Sequence, residues 1–397
     1  MKLQQGYPLD SLLNFTELTA EYGYESEEHT VVTDDGYILT IFRIVRGKRC
    51  QGPMRTPPVL LMHGLLLSSD CWLDSGPDSG LAYLIADACY DLWAGNVRGN
   101  YYGKRHVKLN PETDVDFWQF TVNEIGHFDV PAMIDYILNY TSSEQLNYIG
   151  YSQGASTYFI MCSEREGYSE KVQLLIGVEP DSRNTFTKSL ICRVIAALYE
   201  DFQPALTEVG LYEAFPWGGI VQQIAAFFCR DYILADTVCR GLMSIIDSPH
   251  PGSIETETIR VLFGHFPAGT SVKNIAWYSQ SLNVDKFQNY DYGNTVNMEL
   301  YNSTRPPAYN LSATTTPTVV INGLNDYLTV PADEDWLTSH LPNVLEHHIV
   351  QDPLWNHLDV PYSKLTSQDI LPKMIEYLEH YSEAISDNHL KLLRCNV

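Results

Sequence analysis

Basic residues are scarce in this chain: 25 Lys and Arg stand against 49 Asp and Glu, a formal net charge of −24 over 397 residues. A phosphate backbone is bound by a basic surface that displaces its counterions, so no nucleic-acid partner is expected. The acidic balance suits a compartment of low pH, where part of the carboxylates are protonated. Long apolar runs are missing as well. Nothing approaches the roughly 18 consecutive apolar residues that mark a membrane-crossing helix, which excludes a transmembrane anchor of that kind. Residues 1–8 have no apolar core of signal-peptide length. None of the eight cysteines stands in a CxxC pair, so zinc-ribbon and thioredoxin-like readings are poor. No metal or cofactor is expected. With 45% hydrophobic and 19% charged residues the composition is neither disordered nor coiled-coil. The length allows one large domain with insertions, or two domains.

Short apolar runs alternating with helical stretches are what the chain does contain. Residues 28–32 and 37–44 flank Thr33-Asp34-Asp35-Gly36, a hairpin with Asp-Gly turn chemistry. Further strands are expected at 59–62, 89–93, 146–149, 172–178, 318–321 and 346–350. Several are wholly apolar, as strands covered on both faces are. Helices are expected at 79–88, after Phe128 with Pro131 in the first turn, after residue 152, and at 373–381. Between 181 and 309 the alternation stops, and the chain reads as mainly helical and irregular. The expected architecture is therefore α/β: a central, mostly parallel sheet carrying a helical cap or lid insertion. Its parts are an N-terminal arm (1–25), a core (26–180 and 310–385), the cap (181–309) and a C-terminal tail (386–397). Arg98 is expected in a structural ion pair. Residues 215–220 and 227–228 are expected in the core of the cap, in preference to an apolar cavity. Cys229 and Cys239 are close enough in sequence to close a small disulfide loop.

The chemistry centres on Gly150-Tyr151-Ser152-Gln153-Gly154, which follows the strand at 146–149 and opens a helix. A serine at such a turn is held in strained backbone with its hydroxyl exposed above the sheet. A serine hydroxyl is a weak nucleophile and needs an imidazole to accept its proton. His357 follows the last expected strand, and Asp326 follows the one before it. The order Ser, Asp, His is that of α/β-hydrolases. Parallel strands deliver all these loops to one edge of the sheet. Asp333, Asp335, Asp352 and Asp359 compete for the acid position. Asp326 is preferred for its Gly/Asn turn five residues after Ile321. His347 and His348 fall inside a strand. His63 supports a loop, His63-Gly64-Leu65-Leu66, whose position after a strand suits an oxyanion donor. The expected donors are the backbone N–H groups of Leu65 and Gln153.

The chain resembles the acid lipase family of gastric, lysosomal and insect lipases, over residues 20–382. The matching stretches include Glu27-Glu28-His29, Asp35-Gly36-Tyr37-Ile38-Leu39, His63-Gly64-Leu65-Leu66 and Gly95-Asn96-Val97-Arg98-Gly99-Asn100. They continue with Phe117-Trp118, Ser152-Gln153-Gly154, Pro267-Ala268-Gly269-Thr270-Ser271, Pro306-Pro307-Ala308-Tyr309-Asn310 and His357-Leu358-Asp359. The resemblance implies an α/β-hydrolase with a helical cap and lid that cleaves triacylglycerols, and in some members cholesteryl esters, at an emulsion or membrane interface. It carries the nucleophile, acid and base to Ser152, Asp326 and His357, the oxyanion donors to Leu65 and Gln153, and a cap disulfide to Cys229 and Cys239. It also implies a secreted or lysosomal protein, towards which the sequons at Asn14, Asn139, Asn302 and Asn310 lean. The expected chain is then one whose leader is trimmed or incomplete. The alternatives are a carboxylesterase for shorter soluble esters and a catalytically silent lipid-binding or storage protein. Three positions depart from the family pattern: Tyr151 where a histidine is usual, Tyr101-Tyr102-Gly103 where a serine follows an aromatic, and Trp277 in place of a cap histidine. The Tyr151 side chain is expected on the sheet side, altering packing or local pKa and not the mechanism.

Overall fold

The computed structural model describes the backbone of residues 2–394 and their side chains except at 198–204 and 383–394. Ten strands form: β1 Glu25–Val32, β2 Ile38–Arg46, β3 Arg55–Met62, β4 Tyr90–Ala94, β5 Leu146–Tyr151, β6 Val172–Val178, β7 Glu213–Ala214, β8 Thr270–Ser271, β9 Thr318–Asn322 and β10 Val344–Ile349. Eight build one sheet in the order β1-β2-β4-β3-β5-β6-β9-β10, while β7 and β8 pair separately. β1–β2 and β2–β4 are antiparallel, and the remaining neighbours run parallel. Every residue of β5, β6 and β9 is buried, which is why these strands read as unbroken apolar runs.

The period of two sends alternate side chains to two separate cores. Ile149, Ile176 and Val319 pack with Trp72, Tyr83 and Met374 on one face. Tyr148 and Leu175 pack with Trp93, Met133 and Phe159 on the other. Helices Leu81–Asp87, Val130–Thr141, Gln153–Glu164 and Pro331–His340 make the crossovers between parallel strands. β6 and β9 are neighbours in the sheet, yet 139 residues, 179–317, lie between them in sequence, and among these the longer elements are helical.

Several boundaries differ from the sequence reading, each for a local reason. β3 begins at Arg55, ahead of the strand expected at 59–62. Pro57 and Pro58 cannot donate to a ladder, and the pairing with β4 is irregular there. Pro131 does not start a new helix: a π-helical turn, Ile125–Asp129, joins the helix from Val122 to Val130–Thr141. Within the first 25 residues the helix Phe15–Glu21 carries an Asn14–Glu17 capping box, and Phe15 stacks on Phe42 at 4.5 Å. The final helix, Leu371–Arg394, runs through most of the stretch expected as a tail, and residues 395–397 of that stretch lie outside the described residues. Arg98 is buried in an ion pair with Asp129 and Asp35, at 2.7 Å from each. Phe227 and Phe228 do not form a core: each is half exposed. A disulfide joins Cys229 to Cys239, and a second, unanticipated one joins Cys50 to Cys89.

Candidate active site

Ser152 sits between β5 and the helix Gln153–Glu164 with φ 53° and ψ −123°, a conformation a residue with a side chain adopts only under constraint. Its N–H donates to Val178 O at 3.1 Å. Glycine is required beside it: a Cβ on Gly154 would lie 2.3 Å from Met62 O, and one on Gly150 2.7 Å from Ala155 N. The strand and the helix approach that closely because neither position carries a side chain.

His357 and Asp326 lie on neighbouring loops, after β10 and β9. His357 Nδ1 is 2.7 Å from Asp326 Oδ2, and Asp326 is fully buried. The carboxylate is well supplied with donors. Oδ1 accepts from the N–H of Leu328 and of Thr329 at 2.7 and 2.8 Å, and Oδ2 accepts from the Thr329 hydroxyl at 2.7 Å. Burial pushes the Asp326 carboxyl up, but the His357 charge and these hydrogen bonds hold it below its ordinary value. Burial alone would lower His357, and Asp326 instead holds it above its ordinary value. The two loops are also joined directly, since Asn325 N–H donates to Trp355 O at 3.2 Å and the Asn325 side chain to Leu354 O at 3.0 Å.

The competing acids are engaged elsewhere. Asp333 accepts from Arg183 at 2.9 Å, Asp359 pairs with His250 at 2.7 Å, Asp352 lies 3.4 Å from His250, and Asp335 is exposed. His347 and His348 lie in β10, against Asn322 and Glu346.

The loop after β3 reaches the elbow: a Cβ on Gly64 would lie 3.1 Å from Ser152 Cβ. Burial pushes His63 down to about 4, so its ring is neutral near pH 7. A neutral ring suits both contacts, with Nδ1–H donating to Gly64 O at 2.8 Å and Nε2 accepting from Asn100 at 3.2 Å. The N–H of Gln153 opens its helix, where no intrahelical acceptor exists. The Gln153 side chain is held from the long connection by Asn274 at 3.0 Å and Tyr278 at 3.2 Å.

Sequence reasoning under-read Tyr151. Its hydroxyl donates to His357 O at 2.9 Å, and its ring lies 4.8 Å from the imidazole. Asp247 and Glu179 were missed altogether. Asp247 accepts from Tyr327 N–H at 2.9 Å, and Glu179 accepts from Gly323 N–H at 2.7 Å. Both come from the chain beyond β6, and no local pattern marks them. Tyr101 packs on Trp217 at 4.0 Å, Tyr102 donates to Asp70 at 2.9 Å, and Trp277 donates to Gln288 O at 2.9 Å. Among the described residues no group of three or more His, Cys, Asp or Glu is arranged to hold a metal ion. No described helix is long and apolar enough to cross a membrane.

A buried His–Asp pair and a strained elbow serine, on loops at the carboxyl edge of a mostly parallel sheet, are the marks of an α/β-hydrolase. Two family models match: a partial α/β-hydrolase lipase region over residues 15–76 and the α/β-hydrolase fold over 57–205. The chain is 36% identical to Lipase 1 of Drosophila melanogaster, covering 93% of this chain and 80% of that one. It is 34% identical to human gastric triacylglycerol lipase, covering 95% and 93%. To human lysosomal acid lipase/cholesteryl ester hydrolase it is 32% identical, covering 93% and 91%. The chain belongs to the acid lipase family. Among solved structures, the Bacillus megaterium epoxide hydrolase aligns with TM-score 0.51 at 13% identity, covering 89% of this chain and all of that one, a likeness of fold alone.

Proposed function

We propose that this lipase hydrolyses carboxylic esters of neutral lipids, triacylglycerols first and cholesteryl esters second, through Ser152, His357 and Asp326. The observation that carries the reading is the 2.7 Å contact of His357 Nδ1 with the buried Asp326, beside a serine at φ 53°. Ser152 Oγ attacks the ester carbonyl while His357 Nε2 takes its proton. Asp326 fixes the tautomer and stabilises the imidazolium. The Leu65 and Gln153 N–H groups hold the oxyanion, each worth about 3 kcal/mol where such donors have been removed. The imidazolium gives its proton to the departing alcohol. Water, deprotonated by His357, then attacks the acyl-enzyme and releases the fatty acid.

The long connection, residues 181–309, acts in this reading as a cap inserted into a core of residues 26–180 and 310–385. Its helices Ile220–Cys229 and Arg240–Ile246 are stapled by the Cys229–Cys239 disulfide. With the short helix Tyr232–Leu234 between them, they leave a large apolar face in solvent, with Ile220 at 70% and Ile233 at 71% exposure. Exposed apolar area on that scale marks an interaction surface, and the occupant proposed is the surface of a lipid emulsion or membrane. Two disulfides and the exposed sequon residues Asn139, Asn302 and Asn310 support passage through the secretory route. Asn14 is half-buried, and its side chain caps a helix.

Hydrolysis of emulsified triolein, cholesteryl oleate and short p-nitrophenyl esters across pH tests the proposal, with Ser152→Ala as control. Preference for the dispersed long-chain esters, abolished by Ser152→Ala, is expected. Preference for short soluble esters would make the protein a carboxylesterase, and absence of hydrolysis a lipid-binding protein.

A further inference from the structure

The peptide group joining His357 to Leu358 is held at both poles. Its carbonyl, His357 O, accepts from the Tyr151 hydroxyl at 2.9 Å and, at the longer distance of 3.4 Å, from Val360 N–H. Its N–H, on Leu358, donates to Asp247 Oδ2 at 3.3 Å. The other Asp247 oxygen, Oδ1, accepts from Tyr327 N–H at 2.9 Å. Every contact in this chain falls one residue from a member of the proposed triad. Tyr151 precedes Ser152, Leu358 follows His357, and Tyr327 follows Asp326.

We infer that Tyr151 and Asp247 are positioning residues that together clamp the 357–358 peptide and thereby aim the His357 imidazole between Ser152 and Asp326. The inference rests on the Ser152–His357–Asp326 reading above. A backbone amide held on one side only swings about its Cα–Cα axis, and the side chain on the preceding Cα follows. With donor and acceptor poles both occupied, that freedom is lost. Misplacement of a reacting group by about 1 Å costs on the order of 100-fold in rate, so a few tenths of an ångström at the imidazole matter.

The surroundings stiffen both arms. Tyr151 is buried, its ring lies between the His357 imidazole at 4.8 Å and Trp72 at 6.0 Å, and Gly64 leaves it room. Asp247 is buried and belongs to the long connection between β6 and β9. The residues after it seat against the same loop: His250 pairs with Asp359 at 2.7 Å, and Asn356 donates to Ser248 O at 2.8 Å. The long connection between β6 and β9 therefore completes the frame of the site.

Kinetics on a soluble p-nitrophenyl ester, normalised by active-site titration, test the assignment. Tyr151→Phe keeps the ring and removes one hydrogen bond. Asp247→Asn keeps the shape and sets an N–H against one of two amide donors. Each is expected to lower kcat per titrated site, by about tenfold for Tyr151→Phe and about 10- to 100-fold for Asp247→Asn, with KM within about twofold. The double variant is expected to lose less than the product of the singles, because weakening either pole already loosens the same peptide. A merely structural role would lower the thermal midpoint and the titratable fraction but leave kcat per site unchanged, and that result overturns the inference. Multiplicative losses in the double variant would also contradict a shared peptide. If Asp247→Asn does not fold, Tyr151→Phe alone decides. Ser152→Ala, assayed in parallel, separates the two levels. Hydrolysis persisting in Ser152→Ala sinks the serine mechanism, whereas a dead Ser152→Ala beside an unaffected Tyr151→Phe sinks only the positioning role.

Discussion

The Glu334 carboxyl is buried, close enough to Asp326 to feel its charge. Burial, then the charges of Asp326 and Asp181, push this carboxyl well above its ordinary value of 4.5. Glu179 moves the same way, through burial and the Asp326 charge. The sign follows from linkage. A carboxyl raised in the folded state weighs nothing below about 4.5 and subtracts stability as pH rises from there through its folded value. Asp326, lowered from 3.8, contributes stability that is present above 3.8 and is lost as pH falls through its folded value. The two effects favour mildly acidic conditions from opposite sides. Glu334→Gln removes the first, so it is expected to stabilise the protein at pH 7.5 relative to pH 4, by about 1.4 kcal/mol for each pH unit over which the carboxyl is ionised in the unfolded chain but not in the folded one. At pH 4, where the carboxyl is already neutral, little change is expected. Thermal unfolding at both pH values checks this, and an equal gain at each would contradict a titration effect.

The proposed division between chemistry and lipid contact falls on different secondary-structure elements. The loops after β3, β5, β9 and β10 bring Leu65, Ser152, Asp326 and His357 to one sheet edge, while the helices around Cys229 and Cys239 turn apolar residues outward. Ile233→Glu on that outward face is expected to lower the ratio of emulsified-triolein to soluble-ester turnover about tenfold, since a carboxylate resists entry into an apolar phase. A vesicle or emulsion sedimentation assay of the same variant reads adsorption directly, and unchanged adsorption would argue against this face. The parallel strands were legible in the sequence because strands buried on both faces leave unbroken apolar runs. The elbow was legible because Gly150 and Gly154 are forced by close backbone approach. Phe227 and Phe228 were misread because an apolar helix stripe has the same periodicity whether it meets a core or solvent. Asp247 and the Tyr151–His357 contact were invisible because they join residues far apart in sequence, 206 positions for Tyr151 and His357 and 111 for Asp247 and Leu358. The Cys50–Cys89 bridge was missed for a similar reason: it joins the ends of β2 and β4, neighbours only in the folded sheet.

At the level of the whole molecule, a sheet with two cores holds four loops in register while the long connection braces them. The bracing has a stability side. His265, in the helix Thr256–His265, lies 2.6 Å from buried Asp74 and 2.9 Å from Leu13 O, tying the long connection to the N-terminal segment and to the loop after β3. Burial opposes its charge, but Asp74 raises it to about 9, so this contribution is full below the ordinary histidine value of 6.5, shrinks as pH rises from there, and is gone once pH passes about 9. The covalent step on Ser152 is, however, what every proposed role at the site depends on. A p-nitrophenyl alkylphosphonate, which leaves a stable analogue of the tetrahedral intermediate on an activated serine, should modify the protein once. Peptide mass spectrometry should place the adduct on Ser152, with loss of hydrolysis in proportion to labelling. Labelling of another residue with retained activity, or an unlabelled Ser152 in an enzyme that still cleaves esters, would contradict it.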